Sequence, residues 1–234
     1  MYIIEGNIGA GKSTFLRLLG KYLPYIAISP EPLHNWQNQM YGQSLLTNFY
    51  QDPQRWAYTL ETLTLLSRVK EHCAEQGRVG CVVFERSVYS GYYCFAKNSY
   101  ACGFMSDLEW HAHNTWFNNL IPATCKPPLG FIYLHVDPIV AFKRIKKRNR
   151  HAEKNMTLQY INQIAQRHED FLIKKVDILQ SIKEIPVLIL DCNEEFETNA
   201  ENLAAHLEEV QYFMHKTYQT SLVKKHTNSI NGER

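Results

Sequence analysis

Glu5-Gly6-Asn7-Ile8-Gly9-Ala10-Gly11-Lys12-Ser13, directly after Tyr2-Ile3-Ile4, is the stretch that decides how this chain folds. It satisfies G-x-x-x-x-G-K-[ST] in the context that motif requires, an apolar strand before it and a helical pattern after it. The glycines let the backbone curl until successive N–H groups face a polyphosphate. Lys12 brings a positive charge for the β- and γ-phosphates, and Ser13 brings a hydroxyl for Mg²⁺. The helix that starts at Lys12 adds about half a positive charge through its dipole. The candidate phosphate-binding residues are therefore Gly6, Asn7, Ile8, Gly9, Ala10, Gly11, Lys12, Ser13 and Thr14. The competing reading is a glycine-rich turn with no ligand.

Outward from this junction, apolar runs at 2–5, 26–29, 81–85, 130–136 and 187–191 read as strands. Helical patterns occupy 12–23, 43–50, 53–76, 88–97, 106–121, 139–149, 158–183 and 198–219. Short apolar strands interleaved with helices predict an α/β fold: a five-stranded parallel sheet with helices on both faces. Its ligand belongs at the carboxyl ends of the strands. No repeat or Pro/Gly-rich linker divides the chain, so 1–219 is expected to be one domain, followed by a tail over 220–234 without fixed structure.

Composition limits the function classes. With 45% hydrophobic residues over 234 positions the chain can bury a large core. A formal charge of +2 is too small for wrapping nucleic acid. No apolar run approaches the ~20 residues that span a bilayer, and the first strand begins at residue 2 with no signal-peptide core before it. The six cysteines form no C-x-x-C pair and read as reduced, apolar-like residues. A cytoplasmic protein is expected, with neither nucleic acid nor membrane among its partners.

Three further clusters bear on chemistry. Glu31-Pro32-Leu33, followed by Trp36, comes just after the second strand. A carboxylate held there could take a proton from a substrate hydroxyl, a contribution of ~10²–10⁴-fold; the alternative is a solvated surface glutamate. Glu85-Arg86-Ser87 closes the third strand, where a Mg²⁺-binding carboxylate and a phosphate clamp belong in phosphate-cradle enzymes; the alternative is a surface ion pair. The basic run Lys143, Arg144, Lys146, Lys147, Arg148 and Arg150 would repel itself unless it closes as a lid over a triphosphate. A solvated face or a nucleic-acid patch are its alternatives, the latter disfavoured by the lack of interleaved aromatics.

Gly6–Ser13, Glu31-Pro32…Trp36, Pro53-Gln54-Arg55-Trp56 and Glu85-Arg86-Ser87-Val88-Tyr89-Ser90 together resemble the deoxyribonucleoside kinase family of the deoxycytidine and deoxyguanosine kinase type. The Arg144/Arg148/Arg150 run, His168-Glu169 and Leu190-Asp191…Asn193-Glu194-Glu195-Phe196 extend the similarity, in order, from residue 2 to about 215. The resemblance implies a P-loop kinase fold with an arginine-rich lid, and transfer of the γ-phosphate of ATP, or another nucleoside triphosphate, to a deoxynucleoside 5′-hydroxyl in nucleotide salvage. It implies that Glu31 is the general base with Arg86 beside it, and that Ser13 and Glu85 hold Mg²⁺. Tyr50 and Glu169 would grip the sugar 3′-hydroxyl, Trp36 and Phe95 would line the base slot, and Glu195 and Phe196 would hold the donor adenine. It further implies a homodimer built on the helices at 53–76 and 106–121.

Two positions depart from the family pattern: Glu61 stands where a glutamine is usual, and Gly91 where an aspartate is usual. Arg68, seven residues from Glu61 and on the same helical face, conforms. Glutamine donates and accepts, whereas an ionised glutamate only accepts. Glu61 should therefore disfavour the O4 acceptor of thymine and welcome an amino-bearing base, and it should also balance Arg68. Two rivals follow from the same cradle. A nucleoside-monophosphate kinase of the thymidylate type would need extra cations for its acceptor's phosphate. A non-catalytic nucleotide switch would need Asn-Lys-x-Asp, which the chain lacks.

Overall fold

A computed structural model describes residues 1–31 and 44–231. Five strands, β1 (Tyr2–Glu5), β2 (Ile26–Ser29), β3 (Cys81–Glu85), β4 (Gly130–His135) and β5 (Val187–Asp191), form one sheet in the order β2-β3-β1-β4-β5. Every pairing is parallel, with Ile3 opposite Phe84 on one side and Phe131 on the other. The expected strands agree with these bounds to within one residue.

The central strand explains the layers. Successive side chains of a strand point to opposite faces. Tyr2 and Ile4 enter a core with Phe15, Leu19, Ile132, Leu134 and Val210. Ile3 enters the opposite core with Val82, Phe84, Phe117, Phe131 and Tyr133. A strand buried on both faces reads as an unbroken apolar run, which is why its sequence shows no alternation.

The helices that cover the sheet are α1 (Lys12–Tyr22), α2 (Leu45–Gln51), α3 (Pro53–Glu75), α4 (88–101), α5 (Asp107–Thr124), α6 (Pro138–Arg148), α7 (Leu158–His168), α8 (Gln180–Lys183) and α9 (Ala200–Asn231). Within α4, the residues Gly91–Ala96 form a π-helical stretch, and another, Glu169–Ile173, prolongs α7. The expected continuous helix over 158–183 is broken. Lys175 and Asp177 adopt left-handed backbone conformations, and the Lys175 ammonium donates to the carbonyls of Lys183 (2.7 Å) and Ile185 (3.0 Å). Helix α9 runs on to Asn231, past Thr220, where regular structure was expected to end.

The chain enters the sheet at its centre, leaves to β2, and returns through β3 before adding β4 and β5 on the other side. The order reverses around β1, so a crevice opens at the carboxyl ends of β1 and β3, where such sheets place their ligands.

Candidate active site

The loop between β1 and α1 is shaped by glycines. Gly9 has φ +82°, and a Cβ there would stand 2.5 Å from the Ala141 carbonyl oxygen. Gly11 caps α1 at φ +94°, with the Phe196 ring 2.9 Å from where its Cβ would be. No other residue fits either position without displacing its neighbour. Asn7 ties the loop to α7 by donating to the Ile161 carbonyl at 2.9 Å, while its side-chain oxygen accepts from the Ile8 N–H at 2.8 Å. Lys12 is buried with its ammonium donating to the Gly6 (3.0 Å) and Asn7 (2.8 Å) carbonyls. Burial and the neighbouring Arg86 lower its pKa to about 7, against the opposing pull of Glu85, Glu31 and Glu5.

Glu31, Arg86, Arg68, Glu85, Lys12 and Ser13 border a single cleft of about 220 Å³. Arg68 Nη2 donates to Glu31 Oε1 at 2.6 Å, and Arg86 Nε lies 3.3 Å from the same carboxylate. Burial alone would raise the pKa of Glu31, but Arg86, Arg68 and Lys12 together hold it below the ordinary carboxylate range. It is thus ionised and ready to accept a proton. Arg68 was expected to be balanced by Glu61. Among the described residues its ion pair runs to Glu31, with Glu61 near enough for the arginine to moderate its titration.

Arg86 has a left-handed backbone (φ +66°), a conformation that costs a non-glycine residue about 1–2 kcal/mol. Besides its contact with Glu31, its N–H donates to the Ile4 carbonyl at 2.9 Å, its Nη1 donates to the Gly6 carbonyl at 3.1 Å, and its guanidinium lies 4.8 Å from the Phe95 ring centre. Behind it, fully buried Glu5 accepts from the Ser87 hydroxyl, and burial raises its pKa. At the cradle's edge Ser13 Oγ donates to Glu85 Oε1 at 2.7 Å. Two hard oxygen ligands side by side next to a phosphate loop fit Mg²⁺, which takes few protein ligands and completes its shell with waters and phosphate oxygens.

The rest of the cleft is apolar with a few polar points. Phe49, Leu60, Phe95 and Tyr160 border it, with Tyr50, Glu61 and Thr64. Tyr50 packs edge-on to Tyr160 at 6.4 Å, and burial raises its pKa. Glu61 is 5% exposed and accepts from Ser99 Oγ at 3.3 Å; burial pushes its carboxyl to about 7. Trp36 lies outside the described residues. Glu169 does not border the cleft. It lies nine positions beyond Tyr160, about half a turn round the helix axis, and accepts from Tyr133 Oη at 3.0 Å, with His135 at 3.5 Å.

The acid beside Tyr50 is Glu153, which sequence reasoning missed. It sits in the short turn His151–Glu153, nearly buried, with Arg148 Nη2 at 2.8 and 2.7 Å from its two oxygens and Arg150 at 3.6 Å. The signal available was a lone acid directly after the basic run. Arg148 and Arg150 border the cleft. Arg144 instead braces the loop after β5, donating to the carbonyls of Asn193 (3.2 Å) and Glu194 (3.1 Å). Glu195 and Phe196 in that loop do not border the cleft. Phe196 is buried edge-on to Phe15 at 5.6 Å, backing Gly11, and the Glu195 carboxylate accepts from the Glu197 N–H at 2.8 Å.

A family model described as "Deoxynucleoside kinase" matches residues 2–215. The chain is 36% identical over 220 residues to "Deoxyguanosine kinase, mitochondrial" of Xenopus laevis, covering 84% of this chain and 83% of that protein. It is 36% identical over 239 residues to "Deoxycytidine kinase 2" of Gallus gallus, covering 90% and 89%. With "Deoxycytidine kinase" of Homo sapiens it shares 33% over 234 residues, 88% of each chain. A cradle for a polyphosphate, an ionised carboxylate facing it and an apolar slot beyond are what a nucleotide-dependent phosphotransferase with a nucleoside acceptor needs, and the match spans almost the whole chain: it belongs to the deoxynucleoside kinase family.

Proposed function

We propose that this kinase moves the γ-phosphoryl group of ATP to the 5′-hydroxyl of a deoxynucleoside with an amino-bearing base (deoxyguanosine, deoxycytidine or deoxyadenosine) in preference to thymidine. The observation that carries the reading is the convergence of Glu31, Arg86, Lys12, Ser13 and Glu85 on one cleft. In the transfer, the 5′-oxygen forms a bond to the γ-phosphorus as the bond from that phosphorus to the β–γ bridging oxygen breaks. Glu31 takes the hydroxyl proton, and ADP departs. The loop N–H groups, Lys12 and Arg86 hold the phosphates in line, which is most of what phosphoryl transfer asks of a protein. Ser13 and Glu85 would hold Mg²⁺, which when bound neutralises charge on the phosphate oxygens.

Arg148 and Arg150 supply the cationic lid. Glu153 takes the sugar role that the resemblance gave to Glu169: it shares the cleft wall with Tyr50, and a hydroxyl between the two would find an acceptor and a donor. Phe95 lines the base slot. Glu61, when ionised, offers only acceptors to the base, which matches amino and ring N–H groups and leaves thymine O4 without a donor there. Glu195 and Phe196 lie on the loop next to the cradle, where a donor adenine would sit. The outer face of α3 and α5 leaves Leu63 (42%), Leu66 (46%), Leu108 (78%) and Trp116 (50%) exposed, which supports a homodimer through these helices. Among the described residues no helix is long and apolar enough to cross a membrane.

Steady-state assays with ATP against the four natural deoxynucleosides and their 5′-monophosphates test the reading. Phosphorylation of the amino-bearing nucleosides above thymidine is expected. Thymidine as the best acceptor would overturn the base assignment, and turnover of monophosphates alone would overturn the acceptor class.

A further inference from the structure

Arg68 shares a cleft-facing side of α3 with Glu61 and Thr64, yet its guanidinium ends on Glu31, 37 positions away. Gly91 makes that reach possible. A Cβ at position 91 would stand 2.6 Å from Arg68 Nη1, so the guanidinium occupies the volume that any larger residue's side chain would take. One prong, Nη1, fills that space, and the other, Nη2, donates to Glu31 Oε1 at 2.6 Å. Arg86 holds the same carboxylate from the opposite element, the end of β3. A carboxylate gripped by two planar forks on separate elements has little freedom to rotate.

We propose that Arg68 is a positioning residue for the general base, docked on Glu31 through the space left at Gly91 and fixing where that carboxylate points. The inference rests on Glu31 being the base. Among the described residues, the charges that face Glu31 are Arg68 and Glu71 from α3, Arg86 and Glu85 from the end of β3, and Lys12 from the cradle. Two of the three cations approach from fixed backbone positions beside the cradle. Arg68 alone depends on a vacancy in another helix, so it is the contact that a change at position 91 can withdraw.

An opposite charge at this range lowers a carboxyl pKa by about 1–3 units. Withdrawing Arg68 should therefore move the acid limb of the single-turnover transfer rate to higher pH by about one unit or more. Arg68→Met removes the guanidinium. Gly91→Asp leaves the arginine in the chain, displaces Nη1 and offers it a competing carboxylate. Gly91→Ala displaces it with no added charge, so the test survives if one variant fails to fold. Glu31→Gln is the control. Acid limbs displaced upward in the variants, with loss of that limb in Glu31→Gln, are the expected result. If Glu31→Gln removes the limb while the Arg68 and Gly91 variants superimpose on the wild-type profile, the positioning role is wrong and the base assignment stands. If Glu31→Gln keeps the wild-type limb, the base assignment itself fails.

Discussion

Replacing Glu61 by glutamine should stabilise the ligand-free protein, and increasingly so as the pH rises. The carboxyl is 5% exposed and its pKa is displaced from 4.5 to about 7, chiefly by burial and against the pull of Arg68 and Ser99. The sign follows from linkage. Between those values the folded chain keeps a proton that the unfolded chain has released, so stability falls as pH rises through this window. The full cost, reached a little above pH 7, is about 3 kcal/mol at roughly 1.4 kcal/mol per unit. At pH 5.5 about 1.4 kcal/mol of it is already present, so the gap between Glu61→Gln and wild type should widen by about 2 kcal/mol from pH 5.5 to 8. For a chain of this size that is roughly 4–8 °C in Tm. Thermal unfolding followed by circular dichroism at several pH values measures it, and taking the difference between the two proteins cancels every other titrating group. A gap that stays flat with pH would refute the burial-raised carboxyl at position 61 and show it ionised across the whole range.

Gly9→Ala places a methyl 2.5 Å from the Ala141 carbonyl at a backbone angle of +82°; the cradle must open, and the KM for ATP should rise at least tenfold with the nucleoside KM little changed, as initial-rate kinetics will show. Glu153→Gln should lower kcat/KM for a deoxynucleoside by about 10–100-fold, the range of a hydrogen bond to a charged group. Its penalty should shrink to severalfold with a 3′-deoxy analogue; an equal penalty on both acceptors would show that Glu153 does not serve the 3′-hydroxyl.

The sheet and the cradle were legible because each is local. Strands buried on both faces appear as apolar runs, and the nine residues from Glu5 to Ser13 bring their own backbone chemistry. Glu31 and Arg86 follow closely on the ends of β2 and β3, neighbours in the sheet, so both stand at its carboxyl edge. What resisted reading depends on turns and on gaps. Glu153 lies in a three-residue turn with no periodicity and is set in place by Arg148 and Arg150. Glu169 shares a helical pattern with Tyr160 but lies about half a turn away, and it accepts from Tyr133 rather than bordering the cleft. The pairing of Arg68 with Glu31 depends on a side chain that position 91 lacks, and no sequence pattern records a volume left empty.

The proposed transfer requires Glu31 to take the proton at the cleft where Lys12 and Arg86 would hold the phosphates. Glu31→Gln keeps the shape of the side chain and its hydrogen-bonding oxygen while removing its basicity, so single-turnover transfer and nucleoside affinity should be measured on the same preparation. The expected result is a transfer rate lower by about 10²–10⁴-fold with nucleoside Kd within severalfold of wild type. A rate within about tenfold of wild type would contradict it.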